Sequence, residues 1–185
     1  LSPEEVDRLA GEEELCWAVR PMPANSVIID RPVPVARATD PWIQGLVSAV
    51  SGTTYFDTLS TLAGHHTRHS LSATFTAAAT WTVQKLNDMG YQAALEPITV
   101  GSGTSHNVVA NRQGQAPGSR DLVIVCAHLD SINSAGGISG AAPGADDNAS
   151  GSAGVLEIGR VLASHPTNHD LRLILFGGEE QGLFG

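Results

Sequence analysis

At 185 residues the chain has the length of one domain and can bury a sizeable core. An apolar fraction of 42% beside only 16% charged residues excludes an intrinsically disordered chain. The formal charge of -9 argues against nucleic acid or an anionic membrane as partner, and no apolar run approaches the ~18 residues needed to cross a bilayer.

Residues 1–40 open acidic, with Glu4, Glu5, Glu12, Glu13 and Glu14, and then carry Pro21, Pro23, Pro32 and Pro34 around Val27-Ile28-Ile29. The prolines exclude a helix and favour an extended or edge segment. A linker, the remnant of a pro-region and an added strand all fit this N-terminal extension. From Pro41 the pattern turns helical, with short candidates over Trp42–Val50 and Tyr55–Leu62. A longer one runs from about Ser72 to Met89, where Phe75, Ala78, Ala79, Leu86 and Met89 recur near helical spacing and Gly90 supplies a stop.

Strand-like segments follow. Tyr91–Val100 and His106–Arg112 flank Gly101-Ser102-Gly103, a hairpin signal. Leu122–Ala127 is a continuous apolar run and reads as a strand buried on both faces, with Cys126 a small buried hydrophobe inside it. Neither Cys126 nor Cys16 has CxxC spacing, so no disulfide framework is expected. Ala149–Ser164 carries Val155, Leu156, Ile158, Val161 and Leu162 in helical register, and Leu171–Phe176 reads as another buried strand. Strand, loop, helix and strand over 121–176 indicate a crossover unit in a largely parallel sheet with helices on its faces.

Three polar clusters sit where these strands end: His128-Leu129-Asp130-Ser131, Pro143-Gly144-Ala145-Asp146-Asp147-Asn148-Ala149-Ser150-Gly151, and Gly177-Gly178-Glu179-Glu180. In such a sheet ligands gather at the C-terminal ends of the strands, which puts all three on one edge. His and carboxylates together there can hold divalent zinc, and a spare carboxylate beside them can move a proton. Each cluster also has a plainer reading. His128 and Asp130 can be a strand-end pair, although their alternation lets Asp130 accept the free ring N–H of His128. Asp146-Asp147 can be carboxylates at a helix start, which accounts for one Asp better than two. Glu179 and Glu180 can be solvated loop residues, but adjacent side chains diverge, so one can ligate while the other handles a proton. His65, His66 and His69 read as a solvated loop, and His165 and His169 as a surface turn around Pro166.

Taken together, these residues resemble the co-catalytic di-zinc aminopeptidases typified by secreted bacterial leucyl aminopeptidases, in the superfamily of glutamate carboxypeptidase and the transferrin receptor. The pattern is His-x-Asp-Ser, Pro-Gly-Ala-Asp-Asp-(Asp/Asn)-Ala-Ser-Gly and Glu-Glu-x-Gly-Leu-x-Gly, all present from His128 to Gly185. Thr67-Arg68-His69-Ser70 and Asn107-Val108-Val109-Ala110 look like less specific landmarks of the same family.

The resemblance implies an α/β fold, a three-layer αβα arrangement around a mixed, largely parallel sheet, of which 41–185 form the N-terminal part. It implies two Zn2+ per complete site, with His128 on the first, Asp146 bridging both and Glu180 on the second. Glu179 is the implied general base and acid, Asp130 orients His128, and the Asp146–Asp147 peptide is implied to be cis. A further Asp and His ligand are expected after the Glu-Glu cluster, so a C-terminal segment of the same protein is the expected partner that completes the site. The strand over 171–176 is expected to present an open apolar edge to that segment.

The implied activity is removal of N-terminal residues from peptide substrates by a secreted or periplasmic enzyme. A carboxypeptidase, a glutaminyl cyclase and a catalytically silent receptor-like binding module are the alternatives. The complete Asp146-Asp147 pair favours the peptidase over the cyclase, and the intact His128, Asp146, Glu179 and Glu180 disfavour the silent module.

Overall fold

Three capped helices lead into the sheet. The structure, a computed structural model, describes residues 39–185, so the reading of the N-terminal extension lies almost wholly outside the described residues. Helix α1 (Pro41–Ser48) starts with Asp40 accepting from the amides of Trp42 and Ile43 and with proline at its first position. Ser51 does the same for α2 (Gly52–Ala63) through Thr54 N, and Ser72 for α3 (Ala73–Asp88) through Phe75 N. On α3 the buried residues are Phe75, Ala78, Ala79, Thr82 and Leu86, the one-sided stripe that the spacing predicts. Gly90, at φ +88°, turns the chain out of α3 in a conformation that suits glycine.

Strands β1 (Gln92–Val100) and β2 (Gly103–Arg112) form the expected hairpin. Val100 pairs with Gly103, so Gly101-Ser102 is a two-residue turn, and β2 starts three residues before the expected His106. Strand β3 (Leu122–His128), helix α4 (Ser150–Ala163) and strand β4 (Asp170–Phe176) make the crossover unit. The sheet order is β1-β2-β4-β3. Pairing is antiparallel between β1 and β2 and between β2 and β4, and parallel between β3 and β4. The fold is thus α/β with a mixed sheet, its parallel part confined among the described residues to β3 and β4.

Leu171, Leu173 and Leu175 of β4 and Val108 and Ala110 of β2 form one core with Leu62, Phe75, Leu86, Val155 and Leu156 from the helices. All these helical residues lie in that single cluster. The second helical layer of the expected three-layer arrangement is not among the described residues.

Two expectations about the strands are corrected here. β4 does not lie at an open edge: it inserts between β2 and β3, and every second residue of it, on the face turned to the helices, is buried. Among the described residues β3 is the edge strand instead. Leu122, Val123 and Ile124 are exposed large hydrophobics, and Cys126 is exposed rather than a buried hydrophobe. Because successive side chains point to opposite faces, exposure of Leu122, Val123 and Ile124 in succession leaves both faces of β3 open at its start.

Candidate active site

The crossover brings the ends of β3 and β4 together, because Leu129 N donates to Phe176 O at 2.7 Å and carries the parallel pairing past the strands. His128, the last residue of β3, is therefore held beside the turn that bears Glu179 and Glu180. Ser152 of α4 donates its hydroxyl to His128 O at 2.7 Å and fixes the backbone there.

Both ring nitrogens of His128 face carboxylates. Nδ1 lies 3.4 Å from Asp130 Oδ1, while Nε2 lies 3.0 Å from Asp147 Oδ1 and 3.8 Å from Glu179 Oε2. Asp130 is fully buried, and its Oδ2 accepts from Glu180 N at 3.1 Å. Its Oδ1 has no hydrogen-bond partner. One carboxylate thus ties the histidine to the backbone of the glutamate turn.

The electrostatics follow from this crowding. The Asp130 side chain beside Nδ1 is the largest influence on His128, and the Glu179 and Asp147 charges add to it against the opposing effect of burial. Together they raise the imidazole pKa to about 9. Glu180 is pushed above the ordinary carboxylate range, first by burial and then by Asp147, Asp130 and Glu179, with His128 opposing. A carboxyl crowded in this way by other carboxylates is relieved by a cation among them. His128, Asp147 and Glu180 each turn a ligand atom inward, all within 4.8 Å of one another. Imidazole with carboxylates is a donor set that suits divalent zinc.

Asp147, not Asp146, stands in this group, which corrects the expected bridging residue. Both aspartates are exposed, but Asp146 is absent from the cluster. The local backbone explains the exchange. Gly144, at φ +47°, enters a wide turn over Ala145–Ala149 in which Asp147 (φ −116°, ψ 97°) and Asn148 (φ −135°, ψ 49°) are not helical. The cis peptide joins Asp147 to Asn148, one residue later than expected. Asn148 Oδ1 accepts from Gly151 N at 2.8 Å at the start of α4, so the helix is capped by the amide and neither aspartate is used for it.

The glutamate turn is held from below. Gly177 N donates to Asn107 Oδ1 at 2.9 Å and Gly178 N to Ser70 Oγ at 2.5 Å. A side chain at Gly177 would meet His106 O at 2.5 Å, and Gly178 sits at φ +74°. Within the turn Leu183 N donates to Glu179 O and Phe184 N to Gly178 O.

Thr67, Arg68, His69 and Ser70 are buried, whereas His69 was expected in a solvated loop. Arg68 has no exposed surface, and burial lowers its pKa to about 10 against a partly compensating Asp130 charge. Sequence reasoning assigned no role to Arg68, Ser70, Asn107, Ser131 or Ser152. The signal lay in the four-residue polar run at 67–70 directly before a capped helix.

The sheet order and the ligand-bearing loops at the ends of β3 and β4 define an α/β domain of the zinc-exopeptidase type of fold. Residues 107–185 match the family model of Peptidase family M28. Among curated proteins, the chain is similar to a probable leucine aminopeptidase of Arthroderma otae, 34% identical over 77% of this chain and 40% of that protein. It is also similar to aminopeptidase YwaD of Bacillus subtilis, 40% identical over 44% of this chain and 16% of that protein. Among solved structures, LapB from Legionella pneumophila superposes with a TM-score of 0.68 at 25% identity, covering 84% of this chain and 42% of LapB. The chain spans about 40% of the length of the first of these relatives.

Proposed function

We propose that this chain is part of a zinc-dependent aminopeptidase that hydrolyses N-terminal residues from peptides. The observation that carries the reading is the convergence of ligand atoms of His128, Asp147 and Glu180 within 4.8 Å, with Glu179 Oε2 3.8 Å from His128 Nε2. The relatives' names, leucine aminopeptidase and aminopeptidase, support the peptide substrate. His128 and Glu180 would each hold a zinc ion, with Asp147 as the carboxylate they share. The remaining ligands come from a later segment of the same protein.

Zinc in such a place supplies Lewis acidity to a scissile carbonyl and makes water easier to deprotonate. The chain's own residues do the rest. Asp130 holds the ring of His128 from the Nδ1 side, which leaves Nε2 turned toward Asp147 and Glu179. Glu179 is partly exposed and so reaches both water and substrate. It takes the proton of the attacking water and returns it to the leaving amine.

The test is made on the full-length protein with leucyl p-nitroanilide. Release of nitroaniline is expected, with loss after chelation and recovery on adding zinc. Glu179→Gln is expected to keep its zinc and lose ~10²-fold or more in kcat. Undiminished turnover by metal-free protein would falsify the reading, and loss of zinc from Glu179→Gln would exchange the roles of the two glutamates.

A further inference from the structure

One short segment, His66–Ser70, buried from Thr67 onward, makes hydrogen bonds to all three loops that carry the site. To the His128 loop, Arg68 Nε donates to Leu129 O at 2.7 Å, Arg68 N donates to Ser131 Oγ at 3.0 Å, and Ser131 N donates back to Arg68 O at 3.1 Å. To the Asp147 loop, Arg68 Nη1 donates to Pro143 O at 2.5 Å and Nη2 to Gly144 O at 2.9 Å, while Ala142 N donates to His66 O at 2.8 Å. To the glutamate turn, Ser70 Oγ accepts from Gly178 N. Arg68 Nη1 also donates to Leu62 O at 2.9 Å and so anchors the whole to the end of α2.

We propose that Arg68 is a positioning residue for the metal site, setting the separation of the loops that present His128 and Asp147. The inference rests on the metallopeptidase reading above. Its physical basis is the guanidinium itself. Burying a charge is costly, and no carboxylate among the described residues lies within ion-pair distance of Arg68. The cation is satisfied instead by carbonyls from three separate segments, which only a planar fork with several fixed donors can reach at once. Two of these carbonyls, Leu129 O and Gly144 O, lie one and three residues from the ligands His128 and Asp147. A lysine keeps the charge but has one nitrogen, and cannot hold both loops in one plane.

The test uses full-length protein stripped of metal. Zinc affinity is measured by competition with a chromophoric chelator, ligand geometry by the visible spectrum of the cobalt(II)-loaded protein, and folding by denaturant unfolding of the apo form. For Arg68→Lys we expect zinc affinity to fall ~10- to 100-fold, the usual cost of losing a group that orients ligands. An altered cobalt spectrum and a fall in kcat larger than any change in KM are expected with it. Thr82→Ala, at a fully buried hydroxyl bonded only to Ala78 O within α3, should lower the unfolding midpoint and leave affinity and spectrum as in the parent. An Arg68→Lys protein with parental affinity and spectrum and only a lower midpoint overturns the proposal. If Arg68→Lys does not fold, Ser131→Ala decides, because its hydroxyl links Arg68 N to Ala142 O across the two loops. Weakened metal binding with a changed spectrum supports the proposal, and parental values overturn it. A parent protein that binds neither zinc nor cobalt removes the metallopeptidase reading itself, an outcome distinct from these.

Discussion

Strands β3 and β4 run side by side in parallel, and both sequences, Leu-Val-Ile-Val-Cys-Ala-His and Asp-Leu-Arg-Leu-Ile-Leu-Phe, are mainly apolar, the charged residues Asp170 and Arg172 falling in β4. Their burial differs sharply. Leu171, Leu173 and Leu175 of β4 are 3%, 0% and 0% exposed, whereas Leu122, Val123 and Ile124 of β3 are 46%, 47% and 51% exposed. An apolar run establishes that a strand exists, but its place in the sheet order decides what the strand is worth. β4 has a paired neighbour on each side, whereas β3 pairs, among the described residues, with β4 alone. Helix α4 packs against both strands. Both nevertheless end in site loops, so the less secure strand carries His128.

The largest expected effect separates the two strands directly. Leu173→Ala should cost about 2–5 kcal/mol in urea unfolding of this chain, because it leaves a cavity under α4. Ile124→Ala should cost less than about 1 kcal/mol, since its side chain already meets water. Equal costs at the two positions would break the contrast and mean that β3 is covered in solution.

A second contrast lies in the loop between the strands, at two adjacent aspartates. Asp147→Ala is expected to weaken zinc binding by ~10-fold or more, and Asp146→Ala by less than ~2-fold, as read by chelator competition. The reverse order would restore the assignment that the sequence pattern suggests.

The smallest effect concerns α4, which joins the strands. Its buried Glu157 accepts from Arg160 and from Ser51 N at 2.6 Å, and the bond to Arg160 is the main reason its pKa lies below the ordinary value, against the opposing effect of burial. A carboxyl with a lower pKa folded than unfolded contributes stability that is fully present above the unfolded value of about 4.5 and is lost as pH falls through the folded one. Glu157→Gln should therefore cost about 1 kcal/mol at pH 7 and show a shallower loss of stability below pH ~4.5. Parallel acid profiles for parent and variant would mean that the carboxylate contributes nothing.

What could be read from the sequence was local. Ser72 before an apolar stripe and Gly90 after it delimit α3 within a residue, and Gly101-Ser102 sets a hairpin whose register follows from turn geometry. Glu179, Glu180, His128 and Asp130 do meet, because each lies within two residues of the end of β3 or within four of the end of β4. The remainder depends on long-range pairing. Nothing in Leu171–Phe176 says that it inserts between β2 and β3. The choice between Asp146 and Asp147 rests on backbone torsions of a non-helical turn that looks in sequence like a helix start. Arg68 is an ordinary polar residue until four carbonyls from three segments surround it.

The exposure of Cys126 gives β3 a built-in chemical reporter. On a Cys16→Ser background, a maleimide added to the native chain reads the accessibility of this one thiol, and its labelling half-time becomes a clock for the strand. Any polypeptide that pairs with β3 or lies across its outer face lengthens that half-time without altering the reagent's intrinsic chemistry. A single mass measurement over a time course then maps coverage of the strand that leads to His128.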